Sequence, residues 1–126
     1  MWSNLYLYYE IRGSSDYSQQ LHTDMVLKVL ENTGVLVKVA PRQFCNIDTF
    51  PWMNITAIYT KDGNYGRPES FNSKWVTMLA ITASKSDPEL EAVYVQLLSD
   101  IAAKLHWELI LEMDDEGNED VILYKS

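Results

Sequence analysis

The sequence predicts an α+β domain in which one sheet carries two helices on one face and ends in an acidic hairpin. Three observations predict it. Apolar residues recur at helical spacing in two blocks, 18–33 and from Pro88 to Leu105. Shorter blocks rich in β-forming residues surround them at 5–11, 35–40, 54–60, 75–83, 107–112 and 120–125. With 47% apolar residues in 126, the chain can bury a core without a disulfide or metal, so 1–126 reads as a single domain.

Each element has its own justification. In 5–11, Leu5, Leu7, Tyr9 and Ile11 share one face, while Tyr6, Tyr8 and Glu10 share the other. The turn cluster Arg12-Gly13-Ser14-Ser15-Asp16 ends the strand. Ser18 or Asp16 can cap the next helix, whose stripe runs through Leu21, Met25, Val26, Val29 and Leu30, and Gly34 suits its C-terminal stop. Val35 to Ala40 predicts a buried strand stopped by Pro41. Residues 41–53, with two prolines and the aromatics Phe44, Phe50 and Trp52, predict a packed loop. Asn54 to Thr60 predicts a strand, 61–68 an exposed turn, and Trp75 to Ala83 a further strand.

The second helix has the strongest signals. Asp87 suits the N-cap and Pro88 the first helical position, with Glu89 and Glu91 where the helix dipole favours anions. Leu90, Val93/Tyr94, Leu97/Leu98, Ile101 and Leu105 form its apolar stripe. The closing hairpin turns around Asp114-Asp115-Glu116-Gly117-Asn118. The order β-α-β-β-β-α-β-β, with a β-α-β-β-α-β core inside it, is the ferredoxin-like pattern with extra strands.

Composition narrows the function classes. No apolar run approaches the ~20 residues of a membrane span, and Met1-Trp2-Ser3-Asn4 does not open a secretory signal, so the expected compartment is the cytoplasm. A net charge of −8 opposes binding to nucleic acid or anionic membrane. Tyr6 and Tyr8 could stack on bases, but the RNP-type run of basic, glycine and aromatic residues is missing.

Catalytic and metal motifs fare no better. Cys45 lies in an aromatic loop without a neighbouring charge to lower its pKa, and reads as a packed thiol instead of a nucleophile paired with His22 or His106. An EF-hand loop counted from Asp114 needs glycine at its sixth position and glutamate at its twelfth, where Glu119 and Lys125 stand. One cysteine and two separated histidines do not make a zinc site. Gly63-Asn64-Tyr65-Gly66 lacks the Lys-Ser/Thr of a phosphate loop. Eighteen acids cannot single out a glycosidase pair, and no cofactor is expected.

What remains is charge placement. Glu108, Glu112, Asp114, Asp115, Glu116, Glu119 and Asp120 occupy the closing hairpin without a base among them, while the preceding 107 residues hold eleven acids against nine bases. Such a field attracts a basic protein. Eight tyrosines and four tryptophans supply residue types that dominate interfaces, and Tyr6 and Tyr8 are the second-rank contact candidates. A plainer role is to keep the edge of the sheet soluble.

In size, acidity and strand–helix order the chain resembles the small cytosolic immunity proteins of bacterial polymorphic-toxin and contact-dependent inhibition systems. The resemblance rests on the Trp75–Ala83 strand, the Ser86-Asp87-Pro88-Glu89-capped helix and the Trp107–Tyr124 acidic hairpin. It implies a non-enzymatic inhibitor that binds a cognate toxin domain, often a basic nuclease, and transfers no individual residue's role. Reversing Asp114, Asp115 and Glu116 to lysine is then expected to slow association without unfolding the chain. The alternative is a small ligand-binding or enzymatic ferredoxin-like domain. Its pocket would lie between the sheet and loops 41–53 and 61–74, gathering Trp52, Tyr59, Tyr65, Arg67 and His106.

Overall fold

The computed structural model describes residues 5–63, 68–85, 88–114 and 116–125. The elements in chain order are β1 (Tyr6–Arg12), β2 (Leu21–His22), α1 (Thr23–Glu31), β3 (Leu36–Ala40), β4 (Gln43–Asn46), β5 (Met53–Ile58), β6 (Trp75–Val76), β7 (Met78–Ser84), α2 (Pro88–Leu105), β8 (Glu108–Met113) and β9 (Glu119–Tyr124). Seven strands form one sheet in the order β3-β4-β5-β7-β1-β8-β9, every neighbouring pair antiparallel. β2 and β6 form a separate two-stranded sheet. Among the described residues no helix is long and apolar enough to cross a membrane.

Alternation along β1 divides the large sheet into two faces. Leu7, Tyr9 and Ile11 lie opposite Ala83, Ile81 and Leu79 of β7, and these in turn lie opposite Met53, Ile55 and Ala57 of β5. All nine join one buried cluster with Val26 and Leu30 of α1 and Tyr94, Leu98, Ile101 and Leu105 of α2. The α2 residues fall at i, i+4, i+7 and i+11, a stripe along one side of the helix. Each such leucine or isoleucine contributes about 1.5–3 kcal/mol by leaving water. Tyr94 reaches through this core to donate a 2.6 Å hydrogen bond to the Trp52 carbonyl, and Phe50 packs edge-on against its ring.

Four expectations change. The first helix begins at Thr23, not residue 18. Asp16 accepts hydrogen bonds from the Ser14 hydroxyl and the Ser18 amide, which hold its carboxyl down to about 2, and Tyr17 is left-handed at φ 56°. Local bonding therefore keeps these residues out of the helix, and His22 caps it by accepting from the Asp24 amide at 3.2 Å. Residues 36–40 form an edge strand with Val37 and Val39 exposed. The expected loop 41–53 contains β4, whose Phe44 is fully buried.

The fourth change is at Thr77, where the single strand expected over 75–83 divides. Its hydroxyl accepts from the Thr60 amide at 2.8 Å and donates to the Thr60 carbonyl at 2.7 Å. That exchange takes the place of a ladder rung and lets Trp75 and Val76 leave to pair with His22 and Leu21. A single sheet is thus corrected to a seven-stranded sheet plus a small one. The β5 strand, α2 and the closing hairpin appear where expected within two residues, while the Asp87 cap and the turn at 64–67 lie outside the described residues.

Arg42 joins the small sheet to the large one. Its Nε donates to the Ala57 carbonyl at 2.8 Å, Nη1 to Ser73 at 2.6 Å and Nη2 to Trp75 at 3.2 Å. The residue is buried, and burial pulls the guanidinium pKa below the usual arginine value. Three carbonyls depend on this one side chain. Arg42→Met is expected to lower the unfolding free energy by about 2–4 kcal/mol in urea denaturation, and a change below experimental error would remove Arg42 as the tie.

Candidate functional site

The sheet face opposite the helices carries polar and aromatic residues, and β1 sets its pattern. Tyr6, Tyr8, Glu10 and Arg12 alternate with the core residues, so all four point to this open face. Across β1, Arg12 pairs with Glu108 and Glu10 with Ile110, which places the same-parity Glu108 and Glu112 of β8 on that face. Ile110 pairs in turn with Ile122 of β9, and Asp120 shares the parity of Ile122. The sheet thus brings Tyr6, Tyr8, Glu108, Glu112 and Asp120 onto one surface.

The β1–β8–β9 half is acidic and tightly bonded around one cation. Arg12 Nη1 donates to Glu10 Oε1 at 3.1 Å and to the Tyr17 hydroxyl at 3.2 Å. The Tyr17 hydroxyl donates to the same Glu10 oxygen at 2.6 Å, closing a triangle. Burial, then the bond to Glu10, pushes the Tyr17 hydroxyl up to about 12. Arg12 Nε faces Glu108 Oε1 at 3.6 Å, too far for a hydrogen bond, and it is the buried side-chain polar atom left without one among the described residues. The guanidinium also lies 5.5 Å from the centre of the Tyr17 ring.

Glu10, Glu108, Glu112 and Asp120 therefore surround a single guanidinium, and the local charge stays negative. Removal of the Glu112 carboxyl from water raises its pKa, the like charges of Glu10 and Asp120 raise it further, and Arg12 only partly offsets them. This carboxylate is held against its electrostatic preference.

The hairpin acids have unequal roles. Asp114 accepts from the Glu116 and Asn118 amides at 2.9 and 2.8 Å and from Asn118 Nδ2 at 2.9 Å. These bonds, the Asn118 side chain first, lower its pKa and build the turn that Gly117 completes at φ 85°. Glu116, Glu119 and Asp120 are exposed, and Asp115 lies outside the described residues. The seven-acid patch is therefore composite: Glu108 belongs to a buried ion pair and Asp114 to a turn, while Glu112, Glu116, Glu119 and Asp120 project the field.

The β4–β5–β7 half of the face is neutral. Gln43 pairs with Thr56 and Thr56 with Ala80; Cys45 pairs with Asn54 and Asn54 with Thr82. Phe71, exposed at 44%, overhangs these strands and lines a cavity of about 250 Å³. At the end of the face where β1 starts, Tyr6 and Trp52 pack with ring centres 5.6 Å apart, exposed at 38% and 45%.

Of the residues expected to share a pocket, Trp52 and His106 do not come together. Trp52 touches Tyr6 at the start of β1, whereas His106 precedes Trp107 and Glu108, which pairs with Arg12 at its end. Six strand residues, roughly 20 Å, separate the two levels. Tyr65 and Arg67 lie outside the described residues. Among the described residues no three histidine, cysteine, aspartate or glutamate side chains gather as a metal site.

Sequence reasoning missed the Glu10–Arg12–Tyr17 triangle, although two opposite charges at i and i+2 in an apolar strand were its visible sign. It also missed Gln43, Asn54, Thr56 and Thr82, whose convergence depends on strand order.

The raised Glu112 carboxyl has a pH consequence. The folded state holds this proton more tightly than the unfolded state, so the group's stabilisation is present below the ordinary glutamate value of 4.5 and is lost as pH rises through the folded value. Glu112→Gln is expected to raise the urea midpoint near pH 7, and the gain should vanish below about pH 4. Equal midpoints at both pH values would show that Glu112 is not under strain.

Comparison with protein-family models, curated proteins and solved structures finds no match to this chain.

Proposed function

We propose that this chain is a cytoplasmic protein-binding inhibitor of the immunity-protein kind, which docks a basic toxin domain on the acidic half of its open sheet face. The observation that carries this reading is the set of four carboxylates around Arg12, continued outward by Glu116 and Glu119. A negative field fixed on a rigid sheet steers a basic partner into place and repels phosphate backbones and anionic lipid. Tyr6, Tyr8 and Trp52 adjoin that field on the same face and supply ring surface of the kind that anchors interfaces.

The fold reading that accompanies it is ferredoxin-like. The strands β5-β7-β1-β8 lie side by side in that order, α1 follows β1 and α2 follows β7. On this reading β3 and β4 extend one edge as a hairpin, β9 extends the other, and β2 and β6 form a side branch.

Capture from a cell lysate at low and high salt tests the function. The expected result is one basic protein bearing a toxin domain, retained at low salt and released at high salt. Glu116→Lys with Glu119→Lys is the appropriate reversal, because both side chains are exposed and neither builds the turn as Asp114 does. In stopped flow with that partner, association should slow roughly tenfold with a shallower salt dependence. Failure to retain any basic protein, or unchanged association kinetics in the reversed variant, would sink the proposal.

A further inference from the structure

The neutral half of the open face contains a site that the docking role does not use. Asn54 and Thr56 of β5, Thr82 of β7 and Gln43 of β4 line the cavity beneath Phe71, with Ile58 and Ala80 completing the apolar part of its wall. Two amides and two hydroxyls thus converge from three adjacent strands. Among the described residues none of the four side chains makes an internal hydrogen bond. Asn54, Thr56 and Thr82 are nonetheless half-buried. Half-buried polar groups with no protein partner take theirs from water or from a ligand.

The lining selects the ligand's chemistry. Among the described residues no charged side chain lines this cavity, so these walls offer a charged ligand no counter-charge for the water it would lose. Amides and hydroxyls each donate and accept, as adjacent hydroxyl groups on one molecule require. Phe71 adds a half-exposed ring on a backbone held by its own amide, which donates to the Pro68 carbonyl at 3.2 Å, and by the Tyr59 amide, which donates to the Ser70 carbonyl at 3.0 Å. Such a ring offers its face to the C–H side of a polyol. The volume of about 250 Å³ lies below that of drug-sized sites and admits a single sugar-sized molecule. A second cavity of about 230 Å³ shares Gln43, Thr56 and Phe71 and leaves room for a substituent.

We propose that the cavity beneath Phe71 binds a small neutral polyol of the pyranose-sugar type, its hydroxyls bonded by Gln43, Asn54, Thr56 and Thr82 and its C–H face against Phe71. The site lies on β4, β5 and β7, with Tyr8 and Glu10 of β1 opposite Thr82 and Ala80 at its border, whereas β8 and β9 with Glu116 and Glu119 lie beyond β1, and sugar binding does not require the toxin-binding role.

Side-chain amide NMR signals of Asn54 and Gln43 provide the readout, with methyl glucoside, methyl galactoside, N-acetylglucosamine and myo-inositol as probes at tens of millimolar. At least one probe should shift both signals saturably, with a dissociation constant on the order of 1 mM for so small a ligand. Phe71→Ala removes an exposed ring and should weaken binding roughly tenfold with the spectrum still dispersed. Asn54→Leu should abolish binding, and Glu116→Lys with Glu119→Lys should leave it unchanged. No saturable shift with any of the four probes, or wild-type affinity in both Phe71→Ala and Asn54→Leu, would overturn the proposal.

Discussion

The register of β1 is the constraint on which the rest depends. It is bonded on both sides, to β7 and to β8, and its residues serve opposite solvents at alternate positions. Leu7, Tyr9 and Ile11 enter the helix-covered core; Tyr6, Tyr8, Glu10 and Arg12 face outward. A slip of one residue would drive Glu10 and Arg12 among Leu79, Ile81 and Leu98 and expose the apolar set. Burial of three large side chains and desolvation of two charges therefore penalise the same error. The core and the candidate site are two consequences of one alignment.

Arg12 explains why acids gather where they do. A buried guanidinium needs acceptors, and where Arg42 finds carbonyls Arg12 faces carboxylates, Glu10 at 3.1 Å and Glu108 at 3.6 Å. Their two charges already exceed what one cation neutralises. Glu112 and Asp120 add to the imbalance, and their charge, with that of Glu10, adds to the desolvation that raises the Glu112 carboxyl. A chain selected for stability alone would place a second base here, since β8 and β9 carry none until Lys125. Solubility requires exposed acids alone, whereas here Glu10 and Glu108 are drawn into the sheet around Arg12 and leave the edge negative.

Elements whose signals are local were legible in the sequence. The period of α2, the turn at Gly117 and the alternation of β1 and β5 each depend on residues near in the chain. Two of the failures share a cause: side chains replaced backbone partners in ways composition does not reveal. Asp16 withdrew its neighbours from the first helix, and Thr77 broke a strand by bonding Thr60. Val37 and Val39 looked buried because β-branched residues suit strands, yet only position in the sheet decides exposure, and β3 is an edge. Tyr6, Tyr8, Glu108 and Glu112 were legible as candidates singly; that they share a face required the pairing of β1 with β8.

The same logic separates acids that look alike in a row of letters. Asp114 and Glu116 stand two residues apart, but one folds back on three donors and the other points to water. Spending a carboxylate on the turn fixes the tip of the hairpin, and a fixed tip holds Glu116 and Glu119 in a defined place relative to Arg12 and Tyr17. Field strength depends on the number of charges, whereas orientation of a partner depends on how rigidly they are held. Asp114 therefore acts on any docking through geometry instead of attraction, and a count of acids in 108–120 overstates the charge presented to a partner while understating how well it is placed.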